Sequence, residues 1–258
     1  MPIYDRPAKL LMGEWAKQHL VLGQAFDKTA PIRWFKEHYP KIKSSTVGMH
    51  VESMSVNNPL RRHFPNVHAG SGHDLFFKLG PNQFRLWDRE RDPAPRYKDD
   101  FGAAPVEDSG IDADSDESDP MEADSGIAGS SSFALERDLR NYLERNLQLI
   151  EPGLEVYEEE GIRGIEFPVG GRFIDILARD KNGGYVVIEL KVSRGYDRTI
   201  GQLLRYMGWV KQNMEPTQPV RGIIVANDIS ADLRLASAEI PNVKLIEYEI
   251  SFRLRPVG

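Results

Sequence analysis

The chain has 258 residues, 40% of them hydrophobic and 28% charged, enough for one large domain or two small ones with separate cores. With no cysteine it can hold no disulfide scaffold, thiolate zinc site or cysteine nucleophile. No apolar run reaches the ~18 residues of a membrane span, and MPIYDRPAKLL lacks a signal-peptide core, so a cytoplasmic protein with no membrane partner is expected.

Counted by segment, the charge is uneven: residues 1–98 hold 16 Lys+Arg against 9 Asp+Glu, residues 99–132 hold 11 acids and no base, and residues 133–258 hold 17 bases against 19 acids. A basic first third is the electrostatic footprint of a polyanion-binding module. Leu10, Leu11, Trp15 and Leu20 trace a helical stripe, and Thr29 with Pro31 starts a second helix that Pro40 stops. Ser44 or Ser45 caps a third, whose Val47, Val51 and Met54 recur at helical spacing. LFFKL and QFRLW alternate around Gly80-Pro81-Asn82, which reads as a hairpin. Three helices and a hairpin are the order of a small α+β winged-helix domain, expected over residues 1–98 and expected to put its third helix in a DNA groove. Lys41, Lys43, Ser45, Thr46, His50, Arg61 and Arg62 on or near that helix, with Lys78 and Arg85 on the wing, are the candidate DNA contacts. A protein-interaction role for this domain remains the alternative. His63, His68 and His73 are evenly spaced, but their five-residue steps and the absence of cysteine disfavour a zinc site.

Residues 99–132, rich in Asp, Ser, Gly and Ala, bury too little to fold and are expected to be a disordered acidic linker that leaves the orientation of its two domains free. From 133 onward Leu135, Leu139, Leu143 and Leu147 form a ladder that Ser131 or Ser132 would cap, and Pro152-Gly153 closes it. The strands LEVY, GIEFPV, RFIDILARD and YVVIELKV follow, the last two joined by Lys181-Asn182-Gly183-Gly184. Helix TIGQLLRYMGWVKQN, strand VRGIIVA, a helix capped by Ser230 and strand VKLIEYEI complete the chain. The expected fold over 133–258 is α/β, a mixed sheet flanked by helices.

Charged residues inside apolar strands are the informative anomaly, because burying an unpaired carboxylate costs several kcal/mol. Asp175 interrupts FIDIL, and Glu189 and Lys191 interrupt VVIELKV two residues apart, hence on one strand face. Two carboxylates and a lysine at one sheet edge suit metal-assisted phosphodiester hydrolysis.

Asp175, followed after thirteen intervening residues by Glu189-Leu190-Lys191, with Glu136 on the preceding helix and Gln202-x-x-x-Tyr206 on the next, resembles the PD-(D/E)xK nucleases. The stretches ALERDLRNYLERNLQLIEPGL and FIDILARDKNGGYVVIELKVSRGYDRTIGQLLRYMGWVK look like the nuclease domain of the NucS (EndoMS) family, over about residues 133–250. The likeness stops there, because that family's N-terminal domain is β-rich. The resemblance implies a restriction-endonuclease-like fold and a DNA endonuclease acting in repair, or in restriction and phage defence. It implies Mg²⁺, with Mn²⁺ as a substitute, held by Asp175, Glu189 and the backbone carbonyl of Leu190, with Glu136 reaching the ion through water. Lys191 would orient the attacking water, Gln202 would position Lys191 or the phosphate, and Tyr206 would support Gln202. Arg172, Arg194 and Arg198 would touch the DNA backbone. Cutting two strands needs two active sites, so a homodimer is expected. A nuclease-like domain that binds DNA without cleaving it is the alternative, and the sequence identifies no further partner from replication or defence.

Overall fold

The computed structural model describes residues 2–101, 126–192 and 197–250. Most of the expected linker, Arg194 and the side chain of Arg198 lie outside the described residues. Among these, no helix is long and apolar enough to cross a membrane.

The first domain runs α1 (Ala8–His19), β1 (Phe26–Asp27), α2 (Thr29–His38), α3 (Ser44–Ser53), β2 (Phe76–Gly80) and β3 (Gln83–Leu86). Three helices and a hairpin stand in the predicted order. The added strand β1, too short to show a period, extends the hairpin into an antiparallel sheet of order β1-β3-β2. Helix α2 begins at Thr29, as the sequence indicates, and the Asp27 carboxylate just before it accepts from the Thr29 N–H at 2.7 Å. Leu11, Met12, Trp15, Phe35, Val47, Val51, Phe76 and Phe84 fill the core. Leu10, expected on the buried stripe, faces solvent.

The second domain runs α4 (Gly126–Arg145), β4 (Glu155–Val156), β5 (Glu158–Glu159), β6 (Ile162–Arg163), β7 (Ile165–Val169), β8 (Arg172–Arg179), β9 (Tyr185–Lys191), α5 (Asp197–Asn213), β10 (Arg221–Ala226), α6 (Ala231–Ala238) and β11 (Val243–Glu247). Its main sheet has the order β11-β10-β9-β8-β4, with β7 also on β8. β9, β10 and β11 are parallel, and β8 is antiparallel to β9, β7 and β4. This is the predicted mixed sheet flanked by helices. Helix α4 begins inside the stretch expected to be linker, so Ser131 and Ser132 lie within it rather than capping it. Ser230 does cap α6, accepting from Leu233 N–H at 3.1 Å. Between β6 and β7 the backbone runs so close to β8 that a Cβ on Gly164 would lie 2.1 Å from the Leu177 carbonyl oxygen, so only glycine fits.

Strand alternation sorts side chains between two cores. From β9, Val186, Ile188 and Leu190 pack under α4 with Leu139 and Leu143, while Tyr185 and Val187 face the core of Leu203, Tyr206 and Val210 from α5. Glu189 shares the parity of this second face. On β8 the alternation breaks, because Ile174 and Ile176, two residues apart, belong to opposite cores. The strand turns over at Asp175. On β7, Phe167 and Ile165 are divided between the cores in the same way, and Glu166 between them has φ +46°, a left-handed conformation that costs a non-glycine residue about 1–2 kcal/mol.

The domains are not loosely tethered. Met49, Phe64 and Val67 of the first belong to the same buried cluster as Tyr157, Ile162 and Phe167 of the second. The Glu160 carboxylate accepts from Ala8 N–H at 2.8 Å, so the second domain caps the start of α1 in the first. The expectation of freely oriented domains is thus corrected: a shared apolar core and buried polar contacts fix them.

Candidate active site

The register places the acids before any side-chain geometry is invoked. Ile176 pairs with Ile188 across β8 and β9, and one further step sets Asp175 opposite Glu189. Across β7 and β8, Ile165 pairs with Ile176 and Phe167 with Ile174, which leaves Glu166 beside Asp175. Three carboxylates therefore form a row across three neighbouring strands. Asp175 Oδ2 accepts from the Leu190 N–H at 2.9 Å, and Lys191 Nζ lies 3.0 Å from Glu189 Oε1. The other oxygen, Glu189 Oε2, is buried without a hydrogen-bond partner among the described residues. The Glu189 side chain is only 2% exposed, against 23% for Lys191.

Burial, and next the charge of Asp175, push the Glu189 carboxyl well above the usual range, and burial raises Asp175 as well. Burial alone would lower the Lys191 ammonium, but Glu189, Asp175 and Glu136 together hold its pKa above the ordinary value, so it stays cationic. On α5, Gln202 Nε2 donates to the Tyr206 hydroxyl at 3.1 Å, and burial raises that phenol to about 12. The predicted residues Asp175, Glu189, Lys191, Gln202 and Tyr206 thus lie near one another, with Tyr206 close enough to feel the charges of Glu189 and Asp175. Glu136 is near enough to act electrostatically on Glu189 and Lys191, and Arg172, at the start of β8, acts in the same way on Tyr206.

Sequence reasoning missed three residues that complete the surroundings. Arg140, one turn beyond Glu136 on α4, places Nη2 2.7 Å from Glu166 Oε1 and Nη1 3.8 Å from Asp175 Oδ1. His63 of the first domain contacts the other Glu166 oxygen at 2.8 Å. Burial opposes ionisation of Glu166, but the His63 hydrogen bond and the Arg140 charge outweigh it and bring the carboxyl to about 2. A charged residue directly beside the Leu139 position of the α4 ladder was the available signal for Arg140.

The proposed DNA contacts of the first domain are mostly committed elsewhere. Arg61 has no exposed side-chain surface and pairs with Asp74 at 2.5 Å, while also bonding the carbonyls of Ser53, Val56 and Arg96. Lys43 pairs with Glu159 at 2.5 Å and Thr46 donates to the same carboxylate at 3.2 Å. His50 is buried, as is the Ser45 hydroxyl, which has no hydrogen-bond partner among the described residues. Lys78 pairs with Glu52 at 2.9 Å, Arg85 holds Asp92 through two nitrogens, and Arg62 Nε donates to His63 Nε2 at 2.9 Å. Helix α3 faces the second domain, not a DNA groove, which corrects the assignment of Lys43, Thr46, His50 and Arg61 as phosphate contacts. Lys41 remains exposed. The evenly spaced histidines diverge: His63 meets Glu166, His73 meets Ser71, and His68 contacts the Ala69 carbonyl.

Residues 135–249 match the family described as the endonuclease NucS C-terminal domain, and residues 7–86 match a domain of unknown function, DUF7669. The endonuclease NucS of Kocuria rhizophila is 35% identical over 39% of this chain and 40% of its own length. That of Bifidobacterium adolescentis is 28% identical over 77% of this chain and 89% of its own. The crystal structure of a repair endonuclease from Pyrococcus abyssi aligns over 52% of this chain and 50% of that one, at 23% identity and a TM-score of 0.37. The chain thus spans about two fifths of the Kocuria rhizophila relative that it matches. On the family match and the Kocuria rhizophila relative, the C-terminal part of the chain is similar to the endonuclease NucS C-terminal domain.

Proposed function

We propose that this protein is a divalent-metal-dependent DNA endonuclease hydrolysing phosphodiester bonds at the Asp175–Glu189–Lys191 cluster. One observation carries the reading: a buried carboxylate oxygen, Glu189 Oε2, has no hydrogen-bond partner among the described residues, beside a second carboxylate whose proton affinity is also raised. Such a pair calls for a shared proton or a cation. The donors are all oxygen, which suits Mg²⁺ or Mn²⁺ rather than zinc. Among the described residues no three His, Cys, Asp or Glu side chains are placed to hold a metal by themselves, and Mg²⁺ ordinarily takes one or two carboxylates and keeps several waters. The residues therefore fit the ion.

Asp175, Glu189 and the Leu190 carbonyl would hold it, with Glu136 contributing through water. When bound, the ion supplies Lewis acidity at the phosphate and acidifies water. The chain supplies the rest. The Leu190 N–H fixes the Asp175 carboxylate from behind. Lys191, cationic and paired with Glu189, would orient the attacking water and meet charge developing on the phosphate. Gln202 is braced by the protonated Tyr206 hydroxyl and positions Lys191 or the phosphate. Arg172 is assigned to the DNA backbone, together with Arg194 and Arg198, and two copies of the chain would serve the two strands.

Cleavage of labelled single-stranded, perfect, G·T-mismatched, branched and modified DNAs with Mg²⁺ or Mn²⁺, beside Lys191→Ala, tests the proposal. Metal-dependent cutting lost in the variant supports it, and the preferred substrate chooses between repair and restriction. Tight DNA binding with no cutting by wild type would refute it in favour of a non-cleaving DNA-binding protein.

A further inference from the structure

Besides Lys191, a second cation stands near the proposed metal ligand Asp175. Arg140 lies within reach of both Glu166 and Asp175, yet it bonds the first at 2.7 Å and stands 3.8 Å from the second, beyond hydrogen-bond range. We propose that Glu166, fixed by His63 of the N-terminal domain, holds the Arg140 guanidinium off Asp175 and so keeps that carboxylate open to a divalent cation. The inference rests on the metal-dependent reading above and adds a positioning role for three residues.

Both oxygens of Glu166 are used, one by Arg140 and one by His63. Arg62 donates to His63 Nε2, which leaves the ring proton on Nδ1, where it is donated to Glu166. The ring also lies over Phe173, with centroids 4.1 Å apart. The left-handed backbone at Glu166 marks a conformation that its surroundings must enforce. Arg140 is buried and its Nε has no hydrogen-bond partner among the described residues, so its charge is balanced by these acids. Without the charge of Glu166, Asp175 becomes the carboxylate within its reach, and a direct pair there would neutralise a metal ligand. The N-terminal domain therefore reaches the active site through the chain Arg62, His63, Glu166, Arg140, Asp175.

Calorimetric titration of Mn²⁺ into the full-length, chelator-treated protein tests this without relying on activity. Glu166→Gln is expected to weaken Mn²⁺ binding about tenfold, the scale of losses when groups that orient metal ligands are removed. Adding Arg140→Ala to that variant should restore affinity to within about twofold of wild type, a rescue that general unfolding cannot produce. His63→Ala should give a smaller loss, about threefold, also cured by Arg140→Ala. Unchanged binding by Glu166→Gln, or a loss that persists in the double variant, overturns the inference while the metal reading stands. Absence of Mn²⁺ binding by wild type overturns both.

Discussion

In the N-terminal domain Arg61 reaches Asp74, Lys78 reaches Glu52 and Arg85 reaches Asp92, whereas in the C-terminal domain Asp175 and Glu189 face one lysine and leave a buried oxygen with no partner among the described residues. The first arrangement closes its charges on one another and resembles a structural network. The second leaves charge open, which a stable core does not retain without a ligand or a reaction to serve. A count of basic residues had pointed to the first domain as the DNA-binding face. Pairing, not counting, separates the two regions.

That contrast can be broken most forcefully at the cluster. Lys191→Ala or Asp175→Asn should lower single-turnover DNA cleavage by about 10³-fold, with thermal melting showing the fold intact. A loss of less than tenfold would remove these residues from the chemistry. In the other region, Arg61→Ala should cost about 3 kcal/mol in urea denaturation, because Asp74 loses its buried partner. Were Arg61 a DNA contact, stability would hold and affinity alone would fall.

The interface between the domains adds an acid sensitivity. Burial lowers His50 to about 4 and His73 to about 3, with Lys9 further disfavouring charge on both and the Glu160 backbone partly opposing the shift at His50. Both pKa values lie below the unfolded value near 6.5, so between them the unfolded chain binds more protons. Stability is thus full above about pH 6.5 and lost as pH falls toward 4, by about 1 kcal/mol per pH unit for each histidine. Melting curves across that range should show the fall, and His50→Gln should flatten it; a flat wild-type profile would contradict the burial. The smallest effect belongs to Lys41→Ala at the exposed start of the α3 approach. It should leave stability within about 0.5 kcal/mol and, if Lys41 meets a phosphate, lower the salt slope of DNA binding by about one.

The Asp175–Glu189–Lys191 cluster was legible because apolar strands flagged its charges: Asp175 in FIDIL, and Glu189 with Lys191 in VVIELKV. The mixed sheet and its helices followed from period changes along the chain. Glu166 was hidden inside GIEFPV, since nothing in an alternating run announces that β7 and β8 turn over at Glu166 and Asp175. The surface of α3 was misread for another reason. Which face of a helix is exposed depends on what packs there, and Thr46 is covered by Glu159, 113 positions away. Nothing in the sequence beside His63 points to its partner Glu166, which the second domain supplies from 103 positions away.

The most direct test of the open acid pair is a crystal soaked in Mn²⁺ and measured for anomalous scattering. The account predicts a peak between Asp175 and Glu189 with oxygens at about 2.1–2.2 Å, close to Glu189 Oε2. A map with no peak there, and the two carboxyl groups hydrogen-bonded to each other through a shared proton, would contradict it.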